Sequence, residues 1–288
     1  MRVKKMVGGI AAPLRARLPR QRGMLPTFLV IGTKRGGSTS LYEWITRHPS
    51  IAPSRARKGS HYFDVNHTRG FDWFRSLFEA ESPTQTITGE ASPYYMFHPL
   101  ALERIKAELP EAKLIVALRN PATRAWSHYQ YEKARGHENL SFVDALDRED
   151  ERLAGEEERL REDPSYQSAE HRHHTYLRRG HYAEQLTKVL ELFPAEQLLV
   201  IQSEALFEDP NRELTRVWDY LGLPHVHLEG LRAHKAGSYD QVPPEIAARL
   251  EAYYEPLNAQ LYALPQITFR WPIGDARQKE TGEGLVPA

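Results

Sequence analysis

The alternation of short apolar runs with helix-like segments most narrows what this chain can fold into. "TFLVIG" (Thr27–Gly32), "TITGE" (Thr86–Glu90), "KLIVALR" (Lys113–Arg119) and "QLLVIQSE" (Gln197–Glu204) are short apolar runs bounded by polar or turn residues, as buried strands are. The first passes through glycines into "STSLYEWITRHP", where hydroxyls suited to a helix start precede Leu41, Trp44 and Ile45, and proline marks the stop. "NPATRAWSHYQYEKA", "YAEQLTKVLELFP" and "DPNRELTRVWDYLGLP" also have helical spacing and clear boundaries. Strands that alternate with helices predict an α/β fold: a single domain with a central, mostly parallel sheet covered by helices on both faces. No internal repeat or long linker divides the chain, so one domain is expected over residues 25–273, with a basic arm at 1–24 and a loose, polar tail at 274–288. The charged stretch "DREDERLAGEEERLRED" (Asp147–Asp163) reads as a solvated helix on the rim.

Charge excludes some partners. The 38 basic side chains balance 38 acidic ones, so no global field favours nucleic acid or an anionic membrane. Cysteine is absent, which removes disulfides, thiolate nucleophiles and sulfur-ligated metals. No apolar run approaches the roughly 20 residues of a membrane span, and the basic head fits a secretory signal poorly; its widest expected role is peripheral membrane contact. A cytoplasmic location is therefore expected. Nothing in the sequence sets the oligomeric state.

"GTKRGGSTSL" carries the chemistry. The glycine spacing from Gly32 to Gly37 matches a phosphate-binding loop, whose backbone N–H groups surround anionic oxygens at a helix start. A nucleotide-hydrolysing loop places lysine directly after the second glycine and a magnesium-holding hydroxyl after it. Here that position is Ser38, followed by Thr39 and Ser40, and the cations stand earlier, at Lys34 and Arg35. The strand "LIVALR" ends on Arg119 where a metal-holding acid would be expected. Arg119 and the helical hydroxyl of Ser127 are placed to converge on a second phosphate. The pattern suits a phosphate-bearing ligand held by cations and no metal.

With these residues in view, the chain resembles the sulfotransferases that use 3′-phosphoadenosine 5′-phosphosulfate (PAPS), in particular the heparan-sulfate-type carbohydrate branch and its bacterial relatives. The family's 5′-phosphosulfate loop looks like "GTKRGGSTSL" and its 3′-phosphate motif like "LRNPATRAWSHY"; "KGSHYFD" is similar to the segment with acceptor-side catalytic residues, and "GEASPYY" to the stretch after the next core strand. Near the C-terminus "HKAGSYDQVPPEIAARLEAYYEPLN" is similar to the loop and helix that close over the nucleotide. The resemblance implies a P-loop-like fold and transfer of a sulfuryl group from PAPS to a hydroxyl of a carbohydrate or carbohydrate-bearing small molecule, leaving the 3′,5′-bisphosphate (PAP). It implies donor contacts from Lys34, Arg35, Gly36, Gly37, Ser38, Thr39 and Ser40, from Arg119 and Ser127, and from Lys235, Gly237, Ser238 and Tyr239.

The sequence departs from the family pattern at several of these positions. Arg35 stands where carbohydrate members typically have lysine; it keeps the charge but cannot act as an acid, which makes it an electrostatic clamp. The glutamate that commonly follows the motif's lysine, Lys58, and serves as general base is Gly59. His61, with Asp64 to orient its ring, is the expected replacement, and Glu90 of "GEASPYY" is the competing base. A lysine that often follows Glu90 is Ala91, which leaves more of the anion contact to Lys58. Arg179 of "LRRGHY" either reaches the ligand or holds a helix start. "EHRHH" (Glu170–His174) lacks a recognisable metal-ligand spacing and reads as an acceptor-side loop. The alternatives to a sulfotransferase are a P-loop kinase or nucleotide hydrolase, which Ser38 opposes, and a non-catalytic PAPS- or PAP-binding module, which the loss of the glutamate at Gly59 would allow.

Overall fold

The computed structural model describes residues 23–56, 59–232, 242–272 and 274. In chain order the elements are β1 (Phe28–Gly32), α1 (Ser38–Ile45), β2 (Ile51–Ala52), α2 (Phe71–Arg75), β3 (Ile87–Ala91), α3 (Ala101–Glu108), β4 (Lys113–Leu118), α4 (Pro121–Lys133), α5 (Phe142–Asp147), α6 (Glu149–Leu153), α7 (Glu156–Glu162), α8 (Ala169–His173), α9 (Tyr182–Leu192), β5 (Leu198–Gln202), α10 (Ser203–Glu208), α11 (Pro210–Leu221) and α12 (Pro244–Leu261). The strands form one sheet in the order β2-β3-β1-β4-β5, and every pairing is parallel.

Both faces of the sheet are buried, and the side-chain period of two in β1 and β4 shows it. Leu29, Ile31, Leu114, Val116 and Leu118 enter one core with Tyr95, Leu186 and Val189; Phe28, Val30, Ile115 and Ala117 enter the other with Trp44, Val217 and Trp218. Fully burying each such side chain contributes about 1.5–3 kcal/mol, so the two central strands anchor the fold. A third cluster joins α4 and α5 to Tyr176 and α12 through Ala125, Tyr129, Phe142 and Leu250.

The helix boundaries follow from their caps. Asn120 accepts from the amides of Ala122 (3.0 Å) and Thr123 (3.4 Å) with Pro121 in the first turn of α4, and Asp209 accepts from the Arg212 amide (3.1 Å) ahead of α11. The sequence reading missed one element, and one expectation needs revision. The two-residue strand β2 was too short for a period-two pattern to reveal; its pairing with Ile87 and Thr88 of β3 creates it. The charged stretch Asp147–Asp163 is two helices separated at Ala154–Gly155, and it is not wholly solvated. Glu149 and Glu156 are buried along with Leu160, because Glu149 accepts the amides of Leu177 (2.6 Å) and Arg178 (2.7 Å).

The order of strands locates the site. After β1 the chain runs to the edge strand β2 on one side and returns to place β3 beside β1, then crosses to place β4 and β5 on the other side, so the connections diverge about β1. In such sheets the crevice beyond the C-terminal strand ends at that divergence is where ligands bind.

Candidate active site

The loop after β1 fills that crevice, and its backbone is fastened at several points. The Thr33 amide donates to Ala117 O (3.0 Å), the Gly36 amide donates to Thr33 O (3.0 Å), and Ser203 Oγ donates to Gly36 O (2.7 Å). A Cβ on Gly36 would lie 2.5 Å from Ala117 O and 2.6 Å from Thr33 Cγ2, so glycine there lets the loop lie against β4. Arg35 adopts a left-handed φ of 68°, a conformation uncommon for a residue with a side chain and concentrated at functional sites. The first amide to bond within α1 is that of Leu41, to Gly37 O (3.0 Å), which leaves the amides of Ser38, Thr39 and Ser40 at the positive end of the helix dipole. Ser38 and Ser40 are buried and Thr39 is half-buried.

The cations gather on α4. Arg35 donates from Nε to Ser127 Oγ (3.1 Å) and its guanidinium lies 4.8 Å from the centre of the Tyr131 ring. Ser127 therefore meets the donor loop itself. Arg119, just beyond β4, donates from Nε to Thr123 Oγ1 (3.0 Å), and Tyr182 Oη donates to its carbonyl (2.9 Å). Burial lowers the pKa of Arg119, opposed by Glu204 and reinforced by the charge of Arg35, so the two guanidinium groups feel each other. The second phosphate motif and the loop thus converge on one cationic crevice.

On the other side of β1, the strand β3 carries the second group of residues. His61 Nδ1 lies 2.7 Å from Asp64 Oδ2; the Asp64 side chain is fully buried, whereas that of His61 is 31% exposed. An Nδ1–H that donates to this carboxylate would leave Nε2 as the acceptor nitrogen, the tautomer a general base needs. His61 holds a left-handed φ of 52°, and its amide donates to Ser92 Oγ (3.1 Å) at the end of β3. Arg104 donates to the carbonyls of Phe63 (2.9 Å) and Asp64 (3.0 Å), and so fixes the turn from α3.

Glu90, the competing base, is fully buried. Its Oε2 accepts the Ser60 amide (2.6 Å) and its Oε1 accepts the Tyr95 hydroxyl. Burial raises the pKa of its carboxyl, and these hydrogen bonds hold the rise back. Gly59 lies against the same strand: a Cβ there would be 2.4 Å from Ala91 O and 2.5 Å from Ser92 Oγ. The missing glutamate thus has a steric reason, since the backbone at 59 is pressed onto β3 where a side chain would stand.

Lys34 takes a different direction from Arg35. Its Nζ lies 2.6 Å from Glu132 Oε1 and donates to Arg172 O (2.9 Å). Burial, then the charge of Arg179, lower its pKa to about 7, against the opposing pull of Glu132. Nothing in "QYEKA" distinguished Glu132 from a surface charge; only its helical spacing of four and eight from His128 and Arg124, all fully buried, marks an inward polar face. Glu132 Oε2 also accepts from His137 Nδ1 (2.7 Å) and His173 Nδ1 (3.0 Å). Of the "EHRHH" histidines, His173 thus joins Glu132, His171 meets Tyr94 Oη (2.7 Å), and His174 meets Glu170 (2.6 Å). Glu132, His137 and His173 bring possible ligand atoms within 4.8 Å of one another, but both rings address one carboxylate oxygen and Lys34 the other. The geometry is that of a buried carboxylate shared by several donors.

Arg179 is fully buried between the rings of Tyr94 (4.7 Å) and Phe97 (4.5 Å). It donates to Thr175 Oγ1 (2.6 Å) and to the carbonyls of His171 (3.0 Å) and Arg172 (3.1 Å). These contacts tie it to the end of α8. Lys58, Lys235, Gly237, Ser238 and Tyr239 lie outside the described residues.

Comparisons with known proteins agree with this geometry. A family profile described as "Sulfotransferase domain" matches residues 25–245. Human heparan sulfate glucosamine 3-O-sulfotransferase 6 is 30% identical over 296 residues, which span 92% of this chain and 78% of that protein. The membrane-associated sulfotransferase kil1 of Dictyostelium discoideum is 27% identical, with 86% of this chain and 66% of that protein covered. Among solved structures, a sulfotransferase from Alicyclobacillus acidocaldarius superposes with a TM-score of 0.69 at 27% identity, covering 88% of this chain and all of that one. Among the described residues no helix is long and apolar enough to cross a membrane. The chain belongs to the sulfotransferase family and is an enzyme similar to the heparan sulfate glucosamine 3-O-sulfotransferases.

Proposed function

We propose that the chain moves a sulfuryl group from PAPS to a hydroxyl of a carbohydrate or carbohydrate-bearing small molecule, and that His61 is its general base. The observation that carries the reading is the pairing, at one end of the sheet, of a cationic phosphate crevice with a histidine whose tautomer is set by a buried carboxylate. Bound PAPS would supply the sulfuryl group, and the residues present fit it: glycine where the loop lies on β4, the first-turn amides at the positive end of α1, and two arginines beside a serine of α4. The backbone from Arg35 to Ser40 would hold the 5′ end, and Arg119 and Ser127 the 3′-phosphate side. Arg35, tied to Ser127, would face the oxygen that leaves sulfur and stabilise its growing charge.

His61 Nε2 would accept the proton of the acceptor hydroxyl as that oxygen bonds to sulfur. Glu90 would act indirectly, since both its oxygens hold the 60–64 turn and Tyr95. Lys58 and the loop around Lys235 are proposed to complete the anion contacts. The basic arm is proposed to make at most peripheral membrane contact. A cytoplasmic location remains a proposal from the sequence.

The test is transfer of radiolabelled sulfate from PAPS, without added metal, into a panel of glucosamine-containing oligosaccharides and smaller glycosides. Labelled product in wild type, lost in His61→Ala, supports the reading. Tight PAP binding with no labelled product across the panel would instead favour a non-catalytic binding module.

A further inference from the structure

The buried carboxylate of Glu132 collects more nitrogen donors than any helix surface charge would. Its Oε1 lies 2.6 Å from Lys34 Nζ and 3.4 Å from His128 Nε2; its Oε2 lies 2.7 Å from His137 Nδ1 and 3.0 Å from His173 Nδ1. Glu132 and His128 are fully buried. One of these donors, Lys34, precedes Arg35 in the phosphate loop, so the carboxylate ties that loop to α4 and α8.

We propose that Glu132 is a positioning residue for sulfuryl transfer, keeping the donor-loop Lys34 protonated and in place beside Arg35. This rests on the donor-site reading above. The physical case is that Lys34 sits among groups that oppose its charge. From α4 it faces His128, Glu132 and the Tyr131 ring (5.9 Å to the centre); from α8, Arg172 and His173; beyond α8, Arg179; and from its own loop, Arg35. Burial and the charges of Arg179 and Arg172 favour the neutral amine, and Glu132 is the only carboxylate among these groups that favours the ammonium. The balance leaves Lys34 with a pKa of about 7.

Glu132 itself stays ionised. Burial pushes its pKa up, but the nearby His128 ring, the hydrogen bond from His173 and the charge of Lys34 bring it well below the usual carboxylate range. Removing its charge must therefore lower the pKa of Lys34 further, and the phosphate crevice loses a cation at neutral pH. If Lys34 fell from about 7 to about 6, its charged fraction at pH 7 would drop about fivefold.

The experiment is calorimetric titration of PAP into wild type, Glu132→Gln, Lys34→Arg and the double variant from pH 5.5 to 8.5. In wild type, affinity should fall as pH rises through about 7. In Glu132→Gln that fall should move to lower pH by about one unit, with affinity near pH 7 about fivefold weaker and little changed at pH 5.5. Lys34→Arg, whose guanidinium does not titrate here, should abolish the step and restore neutral-pH affinity to Glu132→Gln.

An equal loss at every pH in Glu132→Gln, or no rescue by Lys34→Arg, overturns the proposal and leaves Glu132 a structural residue. If Glu132→Gln does not fold, the single Lys34→Arg variant decides: persistence of its pH step overturns the proposal. If wild type binds no PAP at all, the donor reading has failed. The Lys34 titration is then read directly from [ε-13C]lysine NMR, where a Glu132→Gln midpoint equal to wild type overturns the inference.

Discussion

Asp64→Asn isolates the least visible part of the proposed mechanism, the control of a histidine tautomer. Asp64 Oδ2 is 2.7 Å from His61 Nδ1 and its Oδ1 accepts the Val65 amide at 2.6 Å, with the side chain fully buried. Asparagine has the same shape and can keep the Val65 bond through its carbonyl oxygen, which turns its NH2 toward His61. Nδ1 must then accept, the proton moves to Nε2, and the nitrogen that faces the acceptor can no longer take a proton.

A hydrogen bond to a charged group is worth about 1.5–3 kcal/mol, or roughly 10- to 150-fold in rate. Losing the base altogether would cost about 10²- to 10⁴-fold. We expect kcat for sulfuryl transfer to fall about 100-fold in Asp64→Asn, with the KM for donor nearly unchanged. Because Asp64 acts through His61, the Asp64→Asn, His61→Ala double variant should be no slower than His61→Ala alone. A folded Asp64→Asn enzyme with wild-type kcat, or losses that multiply in the double variant, would refute the argument.

Other substitutions test neighbouring steps. His61→Ala and Glu90→Gln together decide the base: we expect the first to remove turnover and the second to lower stability by about 1–3 kcal/mol in urea unfolding, since glutamine's single carbonyl oxygen cannot accept from both the Ser60 amide and the Tyr95 hydroxyl. A folded Glu90→Gln protein without turnover beside an active His61→Ala would pass the role to Glu90. Gly59→Glu, which restores the common family residue, should not raise kcat and should cost about 1–3 kcal/mol, because its Cβ meets Ala91 O and Ser92 Oγ. Arg119→Ala should weaken PAP binding by about 1.5–3 kcal/mol in calorimetry; unchanged affinity would remove Arg119 from the donor site. His98 is buried and neutral, its Nδ1 accepting the Leu100 amide (3.2 Å), and burial, only partly offset by Asp64, holds its pKa down to about 3. Its contribution is complete above the unfolded value near 6.5 and lessens by roughly 1.4 kcal/mol per unit as pH falls toward 3. His98→Leu should flatten that slope in acid unfolding.

The α/β class and the glycine-rich loop after β1 were legible in the sequence because their causes are local. A short, wholly apolar run marks the strand β1, the Asn120 cap followed by Pro121 marks the start of α4, and a phosphate loop needs glycines, cations and hydroxyls within a few positions of a helix start. The placement of Arg119 at a strand end and Ser127 on the helix that follows was legible for the same reason. Tertiary packing decided the rest. Only the pairing with β3 makes a strand of Ile51–Ala52, and only the press of residue 59 against that strand explains why the usual glutamate is a glycine.

Glu132 shows the limit most clearly. In "QYEKA" it is one charge among several, and its surroundings come from His137 just past α4 and from Lys34 and His173, which approach from a loop and a helix far away in the chain. A buried carboxylate tolerates its desolvation only where donors surround it, and which donors do so is set by how those elements pack, not by their order along the chain.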